Sequence, residues 1–189
     1  MINAYIQLLK TMNERTNVYS KHAYDRLPFH INDSTIMADM IGNTNQTVLD
    51  MGSGSGLPSV IIAICNPNNH VIAVESKSRK TAFLSHVKTE LNLTNYTVIT
   101  GDIHQISHQL PPIDCVTAKA FKPVPSVIAI YNRLPHAPTQ LIIPISANQK
   151  ASIDAEDLAP VISREYQSET FYYVVCDRRG SSTKAFRQQ

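Results

Sequence analysis

The segment Leu49-Asp50-Met51-Gly52-Ser53-Gly54-Ser55-Gly56-Leu57-Pro58 constrains this chain more than any other. It follows a short apolar run, Thr47–Asp50, and leads into a second, Pro58–Cys65, that reads as a helix. Glycines let a backbone turn tightly and approach a ligand closely. Pro58, with its fixed φ and no N–H, suits the first helical position. A strand that passes through such a loop into a helix offers free amides to a carboxylate or phosphate. The segment therefore points to a nucleoside-binding loop in an α/β fold.

The surrounding pattern agrees. Runs rich in β-branched residues fall at Thr47–Asp50, Val71–Glu75, Tyr96–Thr100, Ile113–Ala118, Leu141–Ile145 and Phe171–Cys176. Helical patterns at Pro58–Cys65, Lys77–Leu91 and Val124–Leu134 lie between them. This alternation predicts βαβ units and a mostly parallel sheet, with strands apolar enough to be covered on both faces. Upstream, Ile2, Tyr5, Ile6, Leu9 and Met12 recur at helical spacing. A turn-rich stretch, Asn17–Pro28, then precedes a short helix over Ser34–Ile41, capped by Asp33 or Ser34 and ended by Gly42-Asn43. The expected fold class is α/β, a Rossmann-like doubly wound sheet with an N-terminal helical cap. The cap takes residues 1–46 and the ligand-binding core residues 47–189, in one compact domain.

Composition narrows the class further. The chain has 189 residues, 43% of them hydrophobic and 17% charged, enough to bury a core without disulfides or metal. Cys65, Cys115 and Cys176 are far apart and form no Cys-x-x-Cys pair, so reduced thiols in the cytoplasm are expected. No signal peptide is visible, and no run approaches the roughly 18 apolar residues of a membrane span. The net charge of +2 allows a polyanionic partner only where basic residues gather on one face.

Glycine spacing separates two kinds of nucleoside loop. Dinucleotide enzymes use Gly-x-Gly-x-x-Gly/Ala, whereas here Gly54 is followed by Gly56, and Leu57 stands at the third position of that pattern. Asp50-x-Gly52-x-Gly54-x-Gly56 instead resembles the first motif of the class I methyltransferases, which use S-adenosylmethionine. Glu75, ending the second strand, is placed for an acid that takes both ribose hydroxyls. Ile103 and His104, after the third strand, lie where the adenine would pack and be hydrogen-bonded. His104 and His108 stand four apart, but no third ligand is near, and no metal is expected.

Further segments resemble one family, the bacterial guanine-N7 methyltransferases of 16S ribosomal RNA (RsmG or GidB). They are Asn17-Val18-Tyr19-Ser20, His30-Ile31-Asn32-Asp33-Ser34, the glycine loop, Glu75-Ser76 with Arg79-Lys80 and Phe83-Leu84, and Thr117-Ala118-Lys119-Ala120-Phe121. The resemblance implies S-adenosylmethionine contacts at Gly52, Leu57, Glu75, Ile103, His104 and Lys119, and Asp50, Ser53, Gly54, Gly56 and Ser76 complete the expected cofactor-binding set. It implies that Lys119 faces the methionine carboxylate and that the acceptor is N7 of a guanine in small-subunit RNA. The chain departs from the family at Ser59 (Gly), Lys119 (Arg), Asn32 (apolar) and Pro144-Ile145-Ser146 (Leu-Lys-Gly).

Attack by N7 needs no general base, since its lone pair is already exposed, so the absence of a nucleophile–His–acid set is no objection. Alignment supplies most of the acceleration. The catalytic assignments are His30, as an N–H donor near the guanine O6, and Lys119. His30 could instead tie the cap to the sheet through Asp33. Lys77, Arg79, Lys80 and Lys122 are the expected RNA contacts, with Lys21, His22 and Arg26 nearby. Tyr19, Phe29 and Phe121 could stack a splayed base. The basic end, Arg178-Arg179 and Lys184 to Arg187, could touch RNA too. The expected enzyme is a monomer acting on small-subunit RNA or on the 30S-type subunit. The alternatives are a catalytically weakened RNA-bound assembly factor, a methyltransferase on a small molecule or protein, and a nicotinamide oxidoreductase disfavoured by the glycine spacing.

Overall fold

In a computed structural model, which describes residues 1–178, the run Thr47–Met51 forms the central strand β1. It pairs in parallel with β2 (His70–Glu75) on one side and β4 (Cys115–Thr117) on the other. With β3 (Tyr96–Thr100), β5 (Gln140–Ile145), β6 (Val161–Tyr166) and β7 (Glu169–Asp177) they build a seven-stranded sheet of order β3-β2-β1-β4-β5-β7-β6. Only β7 and β6 run antiparallel to their neighbours. The order reverses between β1 and β4, so a crevice opens there at the carboxyl ends of the strands.

Alternation along the strands sends side chains to two separate cores. Val48, Val71 and Ala73 join one cluster with α1 (Ile2–Thr16), α2 (Leu27–Ile41), α3 (Ser59–Cys65) and α4 (Ser78–Glu90). Leu49, Met51, Ile72 and Val74 join the other, with α5 (Ile103–Ile106), α6 (Val124–Arg133) and α7 (Ala147–Glu156). Tyr5 and Leu9 of α1 and Met37 and Ala38 of α2 have no exposure, in the same cluster as Val60 and Ile61 of α3. The N-terminal helices thus share the core of the sheet face they cover.

Four elements differ from expectation. The second helix begins at Leu27, with Pro28 in its first turn, so His30, Asp33 and Ser34 lie inside it and neither Asp33 nor Ser34 is a cap. Ser34 Oγ instead donates to the His30 carbonyl at 2.7 Å, and Gly42 ends the helix with φ +75°. The third helix starts at Ser59, with Pro58 as its N-cap. Finally α7 and β6 are additional, and β6 joins β7 through a two-residue turn, Gln167-Ser168, with φ of +49° and +64°. The basic end from Arg179 onward lies outside the described residues, as does the Lys21 side chain.

Candidate functional site

The glycine loop closes on its neighbours through its own amides. Gly52 N and Ser53 N donate to the Val74 carbonyl at 2.8 and 3.1 Å, and Gly56 N donates to Ser53 O at 2.7 Å. Gly52, Gly54 and Gly56 hold φ of +74°, +58° and +94°, a region that L side chains disfavour. Two of them also need the missing side chain. A Cβ on Gly52 would lie 2.3 Å from Phe121 Cδ2, and one on Gly56 would lie 2.5 Å from Val60 Cγ2. At Gly54 a Cβ would meet only ordinary contacts, the Gly52 carbonyl at 3.7 Å and the Lys80 ammonium at 3.9 Å.

Glu75 is the acid against this loop. Its Oε2 accepts from Gly54 N at 3.0 Å and its Oε1 from Lys77 N at 2.8 Å. The Ser76 hydroxyl adds a longer bond to Oε1 at 3.4 Å; a carboxylate offers about four acceptor sites, so acceptor capacity remains for a diol. From the opposite side Tyr5 Oη of α1 donates to the Ser55 carbonyl at 2.7 Å. The cap therefore braces the loop that the core supplies.

Asp50 and Ser53 are buried, at 0% and 2% exposure, and their side chains bond within the fold. Thr117 Oγ1 donates to Asp50 Oδ1 at 3.0 Å, tying β1 to β4, and Ser53 Oγ donates to Asp50 O at 3.0 Å. Burial pushes the Asp50 carboxyl up to about 6. Beside it Ser59 Oγ and Tyr96 Oη share a 2.9 Å hydrogen bond, so the serine that replaces a family glycine has a buried partner. Leu57 and Ile103 are core side chains, 8% and 3% exposed. His104 is exposed at the first turn of α5, its amide donating to Asp102 Oδ1 at 2.9 Å, and Ser76 is exposed beside Glu75.

On the β4 side, Lys119 does not stand free. Its ammonium pairs with Asp33 Oδ2, and Tyr173 Oη of β7 donates to Oδ1 of the same carboxylate at 2.9 Å. Burial, then Asp33, push the Tyr173 hydroxyl well above its ordinary range. Asp33, not His30, ties α2 to the sheet. The His30 ring lies edge-on to Tyr19 and Phe29, its Nδ1 buried without a hydrogen-bond partner. Burial, with the nearby Lys119 cation, pushes the imidazole down to about 4, so it is neutral at neutral pH. The sequence reading named Asp33 only as a helix cap or as a tie through His30, and it missed Tyr173, because the two meet only in the folded chain.

A cleft of about 590 Å³ opens between the turn Asn17–Ser20 with His22 and the start of α4, at Arg79 and Lys80. Asn13 shapes that turn, accepting from Tyr19 N at 2.8 Å and donating to Tyr19 O at 2.7 Å. Lys77 and Arg79 are exposed, and Lys122 lies 5.5 Å from the Phe121 ring centroid. Phe29 stacks on Phe171 at 4.7 Å under Arg26, and Tyr19 stacks on Tyr24 at 5.8 Å. Among the described residues no three His, Cys, Asp or Glu side chains gather as a metal site would require.

Comparison with known proteins gives this geometry a family. The model of the GidB family, rRNA small subunit methyltransferase G, matches residues 1–175. Ribosomal RNA small subunit methyltransferase G of Methylobacillus flagellatus is 31% identical over 69% of this chain and 61% of its own length. The protein of the same name from Neisseria gonorrhoeae is 34% identical over 62% of this chain and 56% of its own. The match thus spans a little over half of each relative. In fold, precorrin-6y C5,15-methyltransferase of Geobacter metallireducens superposes with a TM-score of 0.58 at 14% identity, covering 76% of this chain and 86% of that one. With a family match that runs from the cap through the glycine loop and both flanking loops to β7, the chain belongs to the GidB family, rRNA small subunit methyltransferase G.

Proposed function

We propose that this chain is an S-adenosylmethionine-dependent methyltransferase that methylates N7 of a guanine in small-subunit ribosomal RNA. The observation that carries the reading is the glycine loop clamped to Glu75 at the switch point of the sheet, within a chain of the GidB family. The residues present fit the cofactor: Glu75 keeps lone pairs for the ribose hydroxyls, Gly54 leaves the backbone approachable, and Ile103 and His104 border the adenine position. When bound, S-adenosylmethionine supplies an electrophilic methyl group on a sulfonium.

The chain's own task is to bind and align. Lys119 faces the carboxylate of the cofactor. His30, neutral and half-buried, holds guanine through a ring N–H near O6 and removes no proton. Arg79 and Lys80, on the cleft, and Lys77 and Lys122 neutralise RNA phosphates, which makes binding salt-dependent. The substrate is the RNA or the assembled small subunit, and the enzyme works as a cytoplasmic monomer. No helix among the described residues is long and apolar enough to cross a membrane.

Calorimetry with S-adenosylmethionine tests the cofactor. Micromolar binding is expected, weakened at least about tenfold by Glu75→Ala, the scale of a single lost charge-assisted hydrogen bond. Incubation with under-methylated small subunits and with naked RNA tests the acceptor. Methyl incorporation into protein or metabolites alone would reject the RNA assignment, and cofactor binding without any transfer would favour an assembly factor.

A further inference from the structure

The loop after β4 is turned in two directions. Lys119 reaches back to Asp33 of α2, while Phe121 rests against Gly52. Between them Ala120 holds φ of +51°, a conformation that a Cβ disfavours. The strained residue thus separates a cation aimed at the cap from a ring aimed at the glycine loop. The ion pair is largely withdrawn from water, at 14% and 6% side-chain exposure for Lys119 and Asp33, so salt screens it little. Tyr173 is the third member, and its hydroxyl takes up part of the Asp33 charge.

We infer that Asp33 is a positioning residue that holds the Lys119 ammonium and competes for it with the carboxylate of an amino-acid-bearing nucleoside in the glycine-loop site. The inference rests on the methyltransferase reading. Asp33 sits on α2, away from the loop amides, and acts on the ligand only through Lys119. A ligand that enters beside Gly52 brings a second anion to a lysine whose three donors can be shared. Charge held by Asp33 is lost to the ligand, and Tyr173 weakens the hold of Asp33 by bonding its other oxygen. Lys119, standing where the family has arginine, sharpens the competition, because an ammonium lacks the planar fork that could grip both carboxylates in fixed geometry.

The test compares two nucleosides by calorimetry: S-adenosylhomocysteine, and 5′-methylthioadenosine, which lacks the amino-acid end. Asp33→Asn is expected to tighten S-adenosylhomocysteine about tenfold and to leave methylthioadenosine within about twofold. Asp33→Glu returns the preference between the two ligands to its wild-type value. Lys119→Met abolishes the effect of residue 33 on that preference. Tyr173→Phe, which leaves Asp33 a fuller charge for Lys119, weakens S-adenosylhomocysteine severalfold and spares methylthioadenosine. Parallel weakening of both ligands in Asp33→Asn marks a merely structural role and overturns the inference. If that variant does not fold, an unchanged preference in Tyr173→Phe overturns it equally. Failure of the wild-type chain to bind either nucleoside rejects the methyltransferase reading itself.

Discussion

At the scale of single residues, Asp50 and His30 are moved by burial in opposite senses. The Asp50 carboxyl rises from 3.8 to about 6 on folding, so the stability it contributes is complete below pH 4 and lost as pH rises through 6. The His30 imidazole falls from 6.5 to about 4, so its contribution is present above pH 6.5 and lost as pH falls through that window. In urea unfolding, Asp50→Asn should therefore gain on the wild type between pH 4 and 6 by on the order of 3 kcal/mol, whereas His30→Gln should gain as pH falls. A pH-independent difference for either variant would reject its cause. Gly52→Ala is a second test: the new Cβ meets the Phe121 ring and the φ of +74°. It should destabilise by about 1–3 kcal/mol, and adding Phe121→Ala should recover only the steric part, as read from paired melting curves.

At the scale of elements, legibility followed burial. The buried strands β1, β2 and β5 are rich in apolar residues, and their ends were readable to within about two residues, in line with the usual spread of boundary assignments. Strand β6 was not readable, because Ser163 to Tyr166 are exposed at the sheet edge and carry no alternation. Its turn, Gln167-Ser168, lacks the Asn-Gly or Asp-Gly pair that marks such hairpins. Helix α7 did leave a signal: Ser146 and Gln149 form a capping box, the Ser-x-x-Gln spacing that announces a helix start. The turn also receives Asn32, whose amide donates to Gln167 Oε1 at 2.9 Å, so the polar residue at an apolar family position joins the cap to the hairpin. Ser168→Gly relieves the positive φ without touching that bond. It should raise the melting temperature by about 1–3 °C, and an unchanged or lower temperature in a thermal melt would refute the strain.

At the scale of the whole molecule, the N-terminal helices belong to the core of one sheet face and to the site together. Tyr5 is both a fully buried side chain and the donor to Ser55 in the glycine loop. Removal of Met1 to Thr16 uncovers the cluster around Val60 and Ile61, and the remainder should show no cooperative thermal transition. Tyr5→Phe is the milder test: it leaves a buried carbonyl unpaired, at a cost of about 1–3 kcal/mol, and should lower both the melting temperature and the affinity for S-adenosylhomocysteine. By itself the sequence determined the α/β class, the succession of the central strands along the chain and the place of the glycine loop and Glu75. Those features are written in local periodicity, turn chemistry and short spacings. The tertiary structure alone decided what Asp50, Asp33 and Lys119 do, because their partners Thr117 and Tyr173 lie far along the chain and a carboxylate in a sequence carries no mark of its depth.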